Sequence, residues 1–237
     1  MPCLGRQRGS ACTTAWIAIL SLFVVHSLGR SVQAVENNAE VREFSITIDG
    51  RPSGQYRMTI ARRDDGTVAM TGQASVLVKK VGVTVYHYTY AGTEMWKTGK
   101  DGQLLGMNST SDDNGKKFEV QAAAEAGGLR VRVNGQPRLV RADVWTTTYW
   151  KLADARFHNQ RVSLLDADTG KDYNGRLDYL GAEQLTVSGD TQTCHHFRVT
   201  GGPNPVDLWY DAQRHLVRQD FTEDGHRTIM QLVRVAR

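Results

Sequence analysis

The sequence predicts an all-β protein with one short helix, built as a large curved antiparallel sheet, half-barrel or barrel-like in form. Three observations carry that expectation. Apolar and polar residues alternate with period two along short runs, as half-buried strands require. Gly-containing reversals recur between those runs, which favours hairpins. The chain has 237 residues and is 40% hydrophobic and 23% charged, enough to bury a core without help from disulfides or metals.

The first element is an address. Residues 1–34 read as a secretory signal peptide. Arg6 and Arg8 open it, an apolar run from Ala15 to Val25 follows, and Val32-Gln33-Ala34 places small residues at the cleavage positions. The apolar run is well short of the roughly 20 residues that span a bilayer, so no transmembrane segment is expected in the mature chain. The expected location is exported, either periplasmic or extracellular. Three of the 29 basic residues lie in this leader and none of the 25 acidic ones does. The remainder is therefore nearly neutral, and nucleic acid is not an expected partner. Cys3 and Cys12 leave with the leader; Cys194, in the strand-like run TCHHFRVT, stays as a lone core thiol.

A flexible mature N-terminus is expected at 35–41, followed by a single antiparallel domain at 42–237. Phe44, Ile46 and Ile48 face one way while Ser45 and Thr47 face the other, and Tyr56, Met58 and Ile60 repeat the pattern. So do Leu129, Val131 and Val133; Val206, Leu208 and Tyr210; and finally Met230 and Leu232. Asp49-Gly50, Asp65-Gly66, Asp101-Gly102, Asn114-Gly115, Asn134-Gly135, Thr169-Gly170 and Asp224-Gly225 mark reversals.

Two segments depart from simple alternation. From Val76 to Tyr90, Val81, Val83 and Val85 lie on one side and Tyr86, Tyr88 and Tyr90 on the other, so a central strand or bent pair covered on both faces is expected. The tyrosines serve either as core or as the wall of a ligand cavity. In 143–155, Trp145, Tyr149 and Leu152 are spaced four and three apart, which predicts a short helix packed on the sheet as a plug or lid.

Chemistry-bearing motifs are sparse. Asp168-Thr169-Gly170 has no second copy and reads as a turn rather than half of an aspartic protease. His195 and His196 point to opposite faces of a strand and cannot chelate one ion in regular geometry. No catalytic residue, metal site or cofactor is expected. Glu94, Asp207, Trp209 and Asp211 are the residues around which a glycan-acting hydrolase would be drawn.

The blocks FSITIDG, SDDNGKKFEV, WTTTYW, LLDADTGK and DLWYD occur in an order that resembles an exported bacterial family filed as a domain of unknown function. The resemblance implies an extracytoplasmic address and a strongly curved antiparallel sheet, similar to the half-barrels that carry lipoproteins or lipids across the bacterial periplasm. It implies no activity. The leading expectation is a non-enzymatic protein that holds an apolar small molecule or lipid on the concave face, against Tyr86, Tyr88, Tyr90, Met95, Trp96, Trp145, Tyr149 and Trp150. Such a carrier calls for an enclosed apolar pocket of at least ~300 Å³. The rivals are the hydrolase above and an envelope assembly factor that pairs through a sheet edge.

Overall fold

Where the sequence places an Asx-Gly pair, the chain turns back on itself. Asp49-Gly50, Asn114-Gly115, Asn134-Gly135 and Asp224-Gly225 all have both residues at positive φ, the backbone of the two-residue hairpin whose twist matches its strands. Val81-Gly82 and Ser188-Gly189 adopt the same turn without an Asx residue to announce it.

In a computed structural model of the chain, residues 39–99 and 102–237 are described. The signal peptide read at 1–34, residues 35–38 and Asp101 of the Asp101-Gly102 pair lie outside the described residues. The strands are β1 (Ala39–Ile48), β2 (Arg51–Arg62), β3 (Thr67–Lys80), β4 (Val83–Lys97) and β5 (Leu104–Asp113). Next come β6 (Lys116–Glu125), β7 (Gly128–Val133), β8 (Gln136–Val140), β9 (Val144–Thr146) and β10 (Gln160–Leu165). The last are β11 (Asp172–Val187), β12 (Asp190–Thr200), β13 (Val206–Tyr210), β14 (Leu216–Glu223) and β15 (His226–Ala236).

All fifteen belong to one sheet, in the order β8-β7-β6-β5-β4-β3-β2-β1-β15-β14-β13-β12-β11-β10-β9. Every pairing is antiparallel except β9 with β10. The first and last strands of the chain pair in the middle, so the two edges are β8 and β9. Only residues 141–143 separate those edges in sequence, which brings Val140 and Val144 within about 15 Å. The sheet has therefore curled into a barrel-like wall with one open seam.

The concave face is packed with side chains and with chain. Met58, Met70, Leu104, Leu129, Leu164, Leu177, Leu208 and Leu216 are fully buried there, as is Cys194. The β10–β11 loop folds inward and is tied to distant strands. Ser109 Oγ donates to the Ala167 carbonyl at 2.5 Å, Ser111 Oγ to that of Asp168 at 3.0 Å, and the Arg138 guanidinium to that of Gly170. Asp166 holds the loop's shape by accepting from the Asp168 amide and from the Thr147 and Thr169 hydroxyls. Asp168-Thr169-Gly170 is thus part of a plug, with Gly170 at positive φ and packed against Val133 and Val120.

Three expectations are corrected. No helix forms at 143–155: Val144–Thr146 is strand β9, Tyr149 has φ +49°, and a single 3-10 turn follows at Ala155–Phe157. The β-branched run Val144, Thr146, Thr147, Thr148 disfavours a helix, and the spacing of Trp145 and Tyr149 comes from a strand followed by a turn. Residues 39–41, expected to be loose, are already in β1 and pair with Ala61, Ile60 and Thr59. Finally, Val76–Tyr90 is not covered on both faces. It spans the β3–β4 turn, and Val81, Val83 and Val85 are exposed.

Close packing also requires a glycine at position 92. Tyr90 folds along its own strand over Gly92, so a Cβ there would overlap its phenol oxygen, whereas at Gly106 the nearest atom is an ordinary 3.4 Å away. Gly92→Ala is expected to destabilise by about 1–3 kcal/mol through overpacking, while Gly106→Ala stays within about 0.5 kcal/mol of wild type. Urea midpoints of the two variants check this; equal midpoints would refute the packing described for Tyr90.

Candidate ligand-binding site

The strands give the wall two ends. One carries the hairpin turns at 49–50, 81–82, 114–115, 134–135 and 224–225. The other carries the segment between β9 and β10 and the β2–β3 and β13–β14 turns. At this second end lies a cavity of about 470 Å³.

Its inner wall is made by Trp96 from β4, Trp145 from β9, and Trp150. All three indoles are buried and each N–H is used. Trp96 and Trp150 donate to Glu94 Oε2 at 2.6 and 3.1 Å, and Trp145 donates to the Lys151 carbonyl at 2.9 Å. Glu94 also accepts from Thr146 Oγ1 at 2.9 Å (on Oε2) and from Thr148 Oγ1 at 2.6 Å (on Oε1). Burial pushes the Glu94 carboxyl above the usual range even though these four donors pull it down.

Lys151 stands on this wall. Its ammonium lies 3.9 Å from the centroid of the Trp96 ring and 5.4 Å from that of Trp150, a double cation–π contact. Burial lowers its pKa to about 8, with the charge of Glu94 opposing and that of Arg214 adding to the shift. Around it, among the described residues, the cavity is lined by Arg62, Lys97, Arg156 and Arg214 and by two acids, Asp143 and Asp154. Asp143 is gripped by both arms of Arg141, and Asp154 caps the Arg156 amide.

The eight aromatic and methionine positions singled out from the sequence do not form one site. Trp96, Trp145 and Trp150 meet at the cavity. Tyr88 is near the plug, where its hydroxyl donates to Asp168 Oδ1 at 2.6 Å; burial and the charge of Asp166 raise the Asp168 carboxyl to about 7. Tyr86 is half-buried toward the hairpin end, while Tyr90 and Tyr149 are core residues. Met95 alternates with buried Glu94 and Trp96 and so faces the outside. Lys151, which sequence reasoning missed, carries no motif of its own; its one cue is its place directly after the aromatic pair Tyr149-Trp150.

The carboxylates weighed for glycoside hydrolysis do not converge. Glu94 is buried behind the indoles, Asp211 is buried against Arg42, and Asp207 is gripped by Arg198 on the outer surface. Trp209 is covered by the stacked ring of His196, with centroids 4.1 Å apart. The cavity also differs from the enclosed apolar pocket expected of a lipid carrier, because its mouth is open and its rim is charged.

Comparison with known proteins places this architecture. Residues 44–233 match DUF6134, a domain of unknown function. The chain belongs to the DUF6134 family. No curated protein matches it. Among solved structures, the DUF6134 chain is similar to a β-barrel-like protein of the domain of unknown function DUF1849 from Brucella abortus. The TM-score is 0.59 at 10% identity, covering 85% of this chain and 98% of that one, and the likeness is one of fold. A DUF1089 family protein from Pseudomonas aeruginosa aligns at a TM-score of 0.38 and 13% identity, over 70% of this chain and 88% of that one.

Proposed function

We propose that this DUF6134 protein is exported and binds, without transforming it, an amphipathic anion: an apolar body carrying one acidic group, held in the cavity at the seam end of the barrel. The observation that carries the reading is the Lys151 ammonium on the indole wall. Among the described residues it has no carboxylate partner within ion-pair distance, yet it lies in a cavity of about 470 Å³, within the range of small-molecule sites. The indole faces suit the apolar body, and the Lys151 ammonium, with Arg62, Lys97 and Arg214 also lining the cavity, suits the acidic group.

The pH dependence follows from the lysine. An anion beside Lys151 stabilises the ammonium, so binding takes up a fraction of a proton and weakens as pH rises through about 8. Dodecanoate and 1-dodecanol, equal in chain length, test the reading by titration calorimetry. Dodecanoate is expected to bind about tenfold tighter, the value of one charge-assisted contact, and Lys151→Gln is expected to erase the difference. Equal binding of the two probes to wild type, or binding of neither, would remove the proposal.

A further inference from the structure

At the end of the barrel opposite the cavity, the β3–β4 hairpin outruns its neighbours. β2 pairs with β3 only as far as Val76, and β5 pairs with β4 only from Tyr88. Residues 77–87 therefore form a two-stranded ribbon that projects beyond the rim. Its surface is apolar where soluble hairpins are polar: Leu77 is 45% exposed, Val85 49%, Val83 66% and Val81 97%. By register, Leu77 pairs with His87 on one face of the ribbon and Val83 pairs with Lys80 on the other. Apolar groups thus lie on both faces and at the tip.

The turn residue adds a second, independent observation. Val81 has φ +51°, a conformation that a β-branched side chain adopts only under strain. The equivalent position is Asp49, Asn114, Asn134, Ser188 or Asp224 in the other tight turns with two positive-φ residues, residues that tolerate this backbone and prefer water. Val81 is unfavourable here on both counts, and at 97% exposure it gains no compensating burial among the described residues. Next to it, Lys79 and Lys80 form no ion pair among the described residues.

From the ribbon, its strained apolar tip and the paired lysines, we infer that residues 77–87 insert into the surface of a membrane containing anionic lipid. A fluid apolar phase accommodates side chains on both faces of a ribbon at once, whereas a protein groove receives one face; the two lysines are placed for acidic headgroups. The inference is independent of the cavity at the other end. It also makes no use of a membrane-spanning helix, and among the described residues no helix is long and apolar enough to be one.

Flotation of the full-length protein with vesicles of phosphatidylcholine, with and without phosphatidylglycerol, tests it. Comparison with variants of the same chain separates the tip from any contribution of the rest of the sequence. Val81→Asn together with Val83→Asn is expected to lower vesicle partitioning at least about tenfold, because two apolar side chains no longer leave water. Asn tolerates the turn backbone at 81, so the double variant is expected to unfold at no lower a temperature than wild type, which excludes misfolding as the cause. Lys79→Gln with Lys80→Gln is expected to abolish the preference for phosphatidylglycerol, and added salt should mimic that loss. Partitioning unchanged by the valine substitutions overturns the inference, as does an absence of preference for anionic vesicles in wild type. Capture of an envelope protein that depends on Val81 and Val83, with no vesicle binding, overturns it in favour of a protein partner.

Discussion

Exchanging Arg42 for methionine is expected to lower the unfolding free energy by about 3–5 kcal/mol, the effect of removing one partner from a buried ion pair. Arg42 is 2% exposed and each nitrogen of its guanidinium is engaged. Nε donates to Glu40 at 2.5 Å, one terminal nitrogen to Asp211 at 2.5 Å, and the other to the Leu216 carbonyl at 3.0 Å. Methionine fills much of the volume but leaves Asp211 buried without its cation. Acid sensitivity should change as well. Burial works against ionisation of Glu40, but Arg42, with Arg237 and His215, outweighs it and holds the carboxyl at about 2. A depressed carboxylate contributes stability above its unfolded pKa and loses it as pH falls toward the folded value. That contribution is therefore present above about pH 4.5 and fades toward about 2, and Arg42→Met should flatten the slope. Urea unfolding at neutral pH and at pH 3 reads both effects. A methionine variant as stable as wild type, with the same acid slope, would contradict the role given to Arg42.

The location of this cluster explains why it bears on the cavity. Arg42 joins β1 to the start of β14 through the Leu216 carbonyl, and the Leu216 amide donates to the Trp150 carbonyl at 3.0 Å. The Leu152 amide donates to the Arg214 carbonyl, and Lys151 forms an isolated bridge with His215. The segment that presents Trp150 and Lys151 has no helix to stiffen it. It is held by backbone hydrogen bonds to the β13–β14 turn, which the ion cluster anchors in turn to the first strand.

Much of the wall was legible in the residues, because period two reports directly on which side chains share a face. Phe44 and Ile46 are buried as their alternation predicts, as are Tyr56, Met58 and Ile60. The same logic set Tyr86, Tyr88 and Tyr90 apart from Val81, Val83 and Val85, without showing the register shift between Val78 and Lys79 that puts Val83 on the same face as Tyr86. It failed to say that nothing covers the valines, because cover depends on how far neighbouring strands extend and not on the strand's own pattern. The seam was hidden for a similar reason. Trp96 and Trp145 meet because strands far apart in sequence curl toward one another, and alternation does not specify neighbours. Glu94 was recognisable as a strand carboxylate, but its work as an acceptor for two indoles could be seen only once those indoles had been brought to it.

That work leads to the other large effect. Glu94→Ala is expected to cost about 3–5 kcal/mol, since it opens a cavity and strands buried donors. The two indole N–H groups are donors only and have no way to adapt. Glu94→Gln should behave differently for a geometric reason. Trp96, Trp150 and Thr146 all meet Oε2, while Oε1 meets only the Thr148 hydroxyl. An amide with its oxygen in the Oε2 position keeps three acceptor contacts and turns its NH2 toward Thr148, whose hydroxyl accepts it and donates to Thr146, 3.0 Å away. The sign of the pH dependence then follows. Burial raises the Glu94 carboxyl above the usual range, so the folded state favours its protonated form, and wild-type stability declines as pH rises from the ordinary carboxylate range through the raised value. The glutamine variant lacks that decline, and its stability relative to wild type should improve from pH 4 to pH 8. Denaturation across that interval decides the matter: a glutamine variant as unstable as the alanine one, or a difference that does not move with pH, would refute this account of the hub. The substitution also removes the charge that opposes the lowering of Lys151. Lys151 should consequently lose its proton at lower pH in Glu94→Gln, and the pH at which dodecanoate binding weakens should fall with it.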